Sequence, residues 1–336
     1  MNTFAVARAK DYDQAARLVG TGIDGRYSLP VLKAGGMDVL DHVKEGLMAP
    51  DVLIDVRRAR SAGQSAPVSQ DGKLIRIEAW ATLADIAASP LIRDQAPVLA
   101  QAVEKAATPQ VRNVATAAGN LLQRPRCWYY RNDQFNCLKK GGGTCFSVEG
   151  ENRYHAIFGG GPCHIVHPSN LAPALVVCDA AVHLTGSTRA SLPIDTLFHL
   201  PDKGVTSEHT LEPGEVVTHI TLSPRPGSGF EAVKEKQSFD WPLALACASV
   251  DVQGGKIASS RVCAGAVAPI PWALPKVEAA LKGLSATDAD GITRAADLAG
   301  DGAKPMTDNA YKVRLLRVVV RRAIFRAVGI KVEALA

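Results

Sequence analysis

From Asp13 to Val19 the apolar residues fall at helical spacing, and SLPVLKAGG then gives a short apolar run stopped by two glycines. LMAPDVLIDV repeats the form, closing a loop at Pro50 and opening a buried strand. KLIRIEAWATLADIAAS reads as a strand, a turn with Thr82 as N-cap, and a helix. Residues 91–107 read as a second helix with Pro97 in or just before its first turns, and TPQVRNVATAAGNLLQ as a polar, small-residue segment. Residues 124–166 carry no clear period, and glycine triplets at 141–143 and 159–161 mark them as loop. A loop of that length inside a compact domain needs a function or a staple.

Helix and strand return in SNLAPALVVCDAAVHLTG, and LEPGEVVTHITLS is a strand. SPRPGSGF at 223–230 is the best hinge and domain boundary. Two strand-like runs follow, LALACASVDV and KIASSRVCAGAVA, parted by Gly254 and Gly255. Helices are predicted at about 275–283, 288–299 and 308–328. No internal repeat or low-complexity tract interrupts the chain.

Length and composition narrow the class. The 336 residues suffice for two or three domains, and 47% apolar with 21% charged residues is ordinary for a soluble globular protein. The net charge of +5 is modest, and basic residues cluster only around the cysteines and near the C-terminus, which is not a nucleic-acid footprint. No run approaches the ~20 apolar residues of a membrane span. Arg8, Lys10, Asp11 and Asp13 stand where a signal peptide would be apolar, so no export signal is expected. That fits the cytoplasm, or the periplasm if the chain is exported with a signal-bearing partner.

The seven cysteines are an odd number, and metal or cofactor chemistry explains them better than a disulfide framework. Four fall within 37 residues, as C-x9-C-x7-C-x17-C from Cys127 through Cys137 and Cys145 to Cys163. Structural zinc favours closely paired cysteines, and no such pair is present here. Two disulfides stay open for an exported chain. A cubane iron–sulfur cluster needs four thiolates on loops and fits the spacing better. Arg124, Arg126, Arg131, Lys139 and Lys140 would offset its charge, although a basic loop can equally be wet surface. Cys178, Cys247 and Cys263 lie in apolar runs and read as core. His155, His164 and His167, near Cys163, are commoner as hydrogen-bonding residues than as ligands.

The glycine motifs carry less by themselves. GTGIDG, with Gly20, Gly22 and Gly25, matches a dinucleotide fingerprint by letter, but a helix precedes it and a strand-like run follows. It reads as a helix-ending turn. Gly35 and Gly36, after a strand-like run, could present backbone N–H groups to an anion, yet such a turn alone is usually just a turn. The same holds for VATAAGN.

Taken in order, AGGMDVLDHVKEG, QVRNVATAAGNLLQ, HPSNLAPAL, FEAVKEKQSFDWPLALACASV and the final YKVRLLRVVVRRAI resemble the FAD-binding subunits of molybdenum hydroxylases. That family includes the flavin domains of xanthine dehydrogenases, carbon monoxide dehydrogenases and aldehyde oxidoreductases. The resemblance implies an α+β fold. A two-subdomain FAD-binding domain of the PCMH type would fill residues 1–225, with subdomains at about 1–58 and 59–225. A smaller α+β domain would fill 226–336. Leu32, Lys33, Ala34, Gly35, Gly36, Met37, Asp38, Val39 and Leu40 would wrap the FAD pyrophosphate and ribityl chain. Thr116, Gly119 and Asn120 would form a second phosphate-binding turn, with further cofactor contacts at Ala107, Asn170 and Val217. Asn170 stands where relatives usually have Asp. Met37 replaces the usual Thr, so contact there would come from the backbone. Lys234 matches a lysine close to the flavin, where a cation can stabilise a reduced, negatively charged ring.

A minority of these subunits carry a cysteine-rich insertion after the Gly-Asn-Leu turn, holding a [4Fe–4S] cluster. GNLLQRPRC with later cysteines ending at PCHIVHPSN is most similar to the version in periplasmic aldehyde oxidoreductase, and implies Cys127, Cys137, Cys145 and Cys163 as ligands in an insertion at about 124–166. The resemblance further implies a heterotrimer. A large molybdenum-cofactor subunit would oxidise the substrate, an aldehyde by first choice. Electrons would pass through two [2Fe–2S] clusters of a small subunit to FAD here and on to an external acceptor, with the [4Fe–4S] cluster as an added or storage centre. Other readings are a subunit acting on xanthine, an N-heterocycle or hydroxybenzoyl-CoA, a flavin oxidoreductase without partners, and a zinc-stapled binding module.

Overall fold

The computed structural model describes residues 3–21, 29–61, 63–236 and 239–332. Its fold is α+β, built on three sheets. In the first, β1 (Ala5–Arg8), β2 (Pro30–Lys33) and β3 (Val52–Asp55) are parallel in the order β1-β3-β2. The middle strand, β3, is buried along its whole length, which explains the apolar run at 52–54 that ends in the buried Asp55. The second sheet is antiparallel, in the order β4-β5-β8-β6-β7. It comprises β4 (Val68–Asp71), β5 (Leu74–Glu78), β6 (Ala181–Thr185), β7 (Ser191–Pro193) and β8 (Val216–Leu222).

The third sheet, β12-β11-β10-β9, is also antiparallel and lies C-terminal. Its strands are β9 (Ser228–Lys234), β10 (Pro242–Gln253), β11 (Lys256–Gly265) and β12 (Trp272–Ala273). Both faces of β10 are covered. Leu245 and Cys247 point into the core shared with the first two sheets, while Ala244, Ala246, Ala248 and Val250 pack into a second core under the helix Tyr311–Ala327. Strand side chains alternate between faces, so burial on both sides gives the continuous run LALACASV. Cys247 and Cys263 are cross-strand partners within it, and Cys178 joins them in the first core.

Several local expectations change. The strand β1 precedes the first helix, Tyr12–Thr21, and was not signalled by its four half-exposed residues. The helix expected over 91–107 is two, Pro90–Gln95 and Pro97–Glu104, because Pro97 has no N–H and begins a helix better than it continues one. The expected hinge already enters β9 at Ser228. Gly20 lies at the end of the first helix as expected, whereas Gly22 and Gly25 fall outside the described residues. Thr82 caps its helix with a full capping box, accepting from the Asp85 N–H while the Asp85 carboxylate accepts from the Thr82 N–H. Among the described residues, no helix is long and apolar enough to cross a membrane.

Candidate functional site

Beyond β2 the chain turns sharply at Gly35 and Gly36 and enters the helix Val39–Lys44. Gly36 has φ of +85°, in the left-handed region that favours glycine. At Gly35 the restriction is space, since a Cβ there would sit 2.1 Å from the carbonyl oxygen of Val114. The turn therefore lies directly on the backbone that leads into the next motif. Thr116 caps the helix Ala117–Leu121, and Thr82 and Thr116 pair through an isolated bridge, which sets two helix starts side by side.

These segments border a cleft of about 780 Å³. Leu32, Ala34, Gly35, Gly36, Met37, Asp38 and Val39 form one wall, and Ala107, Thr116, Gly119 and Asn120 another. Asn170 and Val217 line it as well, as do Phe239, Asp240 and Trp241 from the connection between β9 and β10. Three of the sequence-derived positions are not on the lining. The Lys33 ammonium pairs with Asp55 at 3.5 Å, and Leu40 packs beneath Gly36. Lys234 stands at the rim, donating from Nζ to the carbonyl oxygen of Lys105, itself a lining residue, at 2.6 Å. Burial, then the neighbouring Lys105 charge, lowers the Lys234 pKa.

The second glycine turn is less open to a phosphate than its motif implies. The Gly119 N–H donates to Thr116 Oγ1 at 3.2 Å and the Asn120 N–H to the Thr116 carbonyl at 2.8 Å. The Asn120 side chain accepts from the Ser169 hydroxyl at 2.6 Å, and Asn170 Nδ2 donates to the Ala102 carbonyl at 3.3 Å. What this turn offers a ligand is chiefly its surface and the Thr116 hydroxyl proton.

The cleft suits a dinucleotide cofactor. Its volume lies in the range of small-molecule sites, and Trp80 Nε1 and His209 Nδ1, both on its lining, are buried without a hydrogen-bond partner among the described residues. Burial keeps His209 neutral by lowering its pKa. The Arg60 guanidinium stacks 3.8 Å over the Trp80 ring. Neither Trp80 nor His209 was legible as a site residue, because each reaches the cleft from a segment with no motif. The only hint was an aromatic residue directly after a strand.

Cys127, Cys137, Cys145 and Cys163 surround a second, small cavity of about 10 Å³, together with Tyr129, Tyr130, Lys139, His155 and His164. The four sequence-predicted cysteines are thus brought together. The neighbouring Cys163 thiol lowers the Cys145 pKa to about 5, and Cys145 in turn raises that of Cys163. Burial raises the Cys127 pKa to about 11. Cys127 Sγ lies 3.3 Å from His155 Nε2, and Cys145 Sγ lies 3.2 Å from Ser147 Oγ. Lys139 is buried and pairs with Glu208 at 2.5 Å. Among the described residues, no group of three or more His, Cys, Asp or Glu side chains converges on a single metal-ion position. The donor set, four thiols and no carboxylate, is one that either structural zinc or an iron–sulfur cluster would use. The space between the sulfurs is roughly that of one water, so the thiols would have to turn outward to admit a cluster.

This cavity is held from behind by the start of the C-terminal helix. Asn309 Nδ2 donates to the carbonyls of Asn152, His155 and Ala156, and the buried Lys312 donates to those of Tyr154, His155 and Ala266. It touches the cleft through Asp38, whose carboxylate accepts from the Arg124 N–H at 2.8 Å and pairs with Arg126 and Arg131, each at 2.9 Å. Burial would raise the Asp38 pKa, but these donors hold it below the usual carboxylate range.

Comparison with known proteins identifies the family. Residues 2–225 match the family described as FAD binding domain in molybdopterin dehydrogenase, and residues 228–327 match the carbon monoxide dehydrogenase flavoprotein C-terminal domain. The chain is 34% identical to the aldehyde oxidoreductase FAD-binding subunit PaoB of Escherichia coli (strain K12), over 84% of this chain and 87% of that one. It is 25% identical to the carbon monoxide dehydrogenase medium chain of Afipia carboxidovorans, over 94% and 93%. Among solved structures, the carbon monoxide dehydrogenase of Hydrogenophaga pseudoflava superposes with a TM-score of 0.73 at 25% identity, covering 98% of each chain.

Proposed function

The chain belongs to the FAD-binding subunits of the molybdenum hydroxylase family, and from that premise we propose that it is the electron-transfer flavoprotein of a heterotrimeric oxidoreductase that converts aldehydes to carboxylates. Its likeness to an aldehyde oxidoreductase subunit over most of both chains is the observation that carries the substrate class. In this reading a molybdenum-cofactor subunit performs the oxidation, a small subunit with two [2Fe–2S] clusters relays the electrons, and an external acceptor removes them. Residues 1–225 are the FAD-binding part and 226–336 its C-terminal domain. The compartment is the cytoplasm, or the periplasm through co-export with a twin-arginine-bearing small subunit.

Within this subunit the residues divide the work. Leu32 to Val39 would hold the cofactor's pyrophosphate and ribityl chain, with Thr116 donating from its hydroxyl and Trp80 and His209 offering their unpaired nitrogens. FAD, when bound, supplies a carrier that takes up electrons from the partner's clusters and yields them to the acceptor. Lys234, at the rim, would place a positive charge near the ring. The apolar walls exclude water from the cofactor.

Cys127, Cys137, Cys145 and Cys163 are the proposed ligands of a [4Fe–4S] cluster beside the cleft. Tetrahedral zinc with bonds of about 2.3 Å would draw its sulfurs to within about 3.8 Å of one another, whereas a cubane spreads them over four irons. What supports a shared metal site is that the four cysteines line one cavity, and metal analysis decides between the two. A visible spectrum with iron and zinc analysis of the purified chain tests both assignments. Flavin bands with broad iron–sulfur absorbance and about four irons per chain are expected. Zinc without flavin would overturn the reading. Cys137→Ser should remove the iron while FAD stays bound, and unchanged iron would exclude Cys137 as a ligand.

A further inference from the structure

Among the contacts between the cysteine segment and the cleft, one side chain reaches three carboxylates at once. Arg131 ends the short helix Trp128–Arg131, and its side chain is only 10% exposed. Its Nη2 donates to Asp38 Oδ1 at 2.9 Å, its Nη1 to Asp41 Oδ2 at 3.0 Å and Glu45 Oε2 at 3.4 Å, and its Nε to the Pro125 carbonyl at 2.8 Å. The three carboxylates all belong to the turn and helix that follow Gly36. Asp38 occupies the N-cap position of that helix but makes no capping bond with its side chain. Its carboxylate is committed to Arg124, Arg126 and Arg131 instead, all from the cysteine segment.

A helix that begins without its own cap leaves the preceding turn poorly fixed by local forces. Here a neighbouring segment supplies the missing restraint, through a planar guanidinium whose fork matches carboxylate geometry. Arg131 does not line the cleft, so it acts on a ligand only through the turn it holds.

We infer that Arg131 is a positioning residue for FAD: it sets the Gly35–Asp38 turn from the cysteine segment, so cofactor affinity depends on that segment. The inference rests on reading the cleft as the FAD site. It has a reciprocal consequence, because two coupled sites must stabilise each other by the same factor. Ordering the cysteine segment tightens FAD binding, and bound FAD shifts the equilibrium of the cysteine segment towards its ordered state.

Equilibrium titration of the flavin-free, full-length chain with FAD, followed by flavin fluorescence, tests this for wild type, Arg131→Met and Arg131→Lys, with thermal unfolding measured in parallel without FAD. Arg131→Met should weaken FAD binding about tenfold or more, the scale on which buried charge-assisted bonds act. Arg131→Lys, which keeps the charge but loses the fork, should fall between the two. A purely structural role would lower the unfolding temperature while the folded fraction bound FAD like wild type, and that result would overturn the inference. If Arg131→Met does not fold, Arg131→Lys decides alone, and wild-type affinity in it would be equally fatal. Failure of the wild-type chain to bind FAD would instead refute the flavin reading.

Discussion

His42 and Tyr130 meet in the interior from 88 positions apart, with His42 Nε2 3.0 Å from Tyr130 Oη. Tyr130 lines the cysteine cavity and His42 lines the cleft, so this one bond spans the wall between the two sites. The roles within it are assigned from the network. Burial lowers the His42 pKa and keeps the ring neutral, with Nδ1–H donating to the Asp38 carbonyl at 2.9 Å. Nε2 then accepts from Tyr130, whose own pKa burial pushes up to about 12.

Tyr130→Phe removes the hydroxyl and leaves His42 Nε2 buried and unpaired. A loss of about 1–2 kcal/mol is expected, since an orphaned buried acceptor costs more than the net worth of its bond. Chemical denaturation against wild type measures it, and equal stability would mean that water replaces the hydroxyl.

Gly35→Ala should sharply reduce flavin retention with little change elsewhere. Its Cβ would fall 2.1 Å from the Val114 oxygen and 2.9 Å from the Val114 carbonyl carbon, both backbone atoms that cannot swing aside. The turn must move, and the flavin-to-protein absorbance ratio should drop about tenfold. A normal ratio would show that the Gly35 turn and the Val114 backbone separate easily.

Asp55 supplies an acid-sensitive component of stability. Burial alone would raise its pKa, but hydrogen bonds from Arg57 and the Lys33 charge bring it down to about 2. A depressed carboxylate pKa stabilises the fold above its unfolded value, near 4, and that contribution disappears as pH falls through about 2. Asp55→Asn should therefore cost about 1–2 kcal/mol at neutral pH, discounted for the exposed Arg57. The gap from wild type should close between about pH 4 and pH 2 in acid-unfolding curves. A gap that persists at pH 2 would assign the loss to packing.

His155→Phe addresses the proposed cluster. The phenyl ring keeps the edge-on packing against Trp128, at 5.6 Å between centroids, and removes the nitrogen 3.3 Å from Cys127 Sγ. Hydrogen bonds to ligand sulfurs raise cluster potentials. Redox titration of the variant followed by electron paramagnetic resonance should show a more negative midpoint at unchanged iron content. A tenfold shift in the one-electron equilibrium would be about 59 mV. An unchanged midpoint would mean that the imidazole does not contact the bound thiolate.

Much of this was written locally. Thr82 was legible as an N-cap, to which the fold adds the reciprocal bond with Asp85, and the paired glycines at 35 and 36 marked a tight turn before any fold was known. The alternation of β10 was hidden because both of its faces are buried, so it could be recognised as a strand but not oriented. Strands β1 and β4 escaped notice because four half-exposed residues carry too little period. The cysteines suggested a common site, and the fold brings all four to one small cavity, although among the described residues no group is arranged to hold a metal ion. Arg124, Arg126 and Arg131 read as a basic loop, since their carboxylate partners lie more than 80 positions away and charge alone cannot name a distant partner. Trp80 and His209 were out of reach for the same reason: only the folded chain brings them to the cleft.

The wall between the two sites also fixes how solution conditions will act on it. Three arginines of the cysteine segment face Asp38, Asp41, Glu45 and Glu208, and the closest pairs are largely withdrawn from water. Counter-ions weaken exposed charge pairs far more than buried ones. High-salt chromatography should leave this junction intact, whereas buffers acidic enough to protonate the carboxylates would dissolve it from the cleft side.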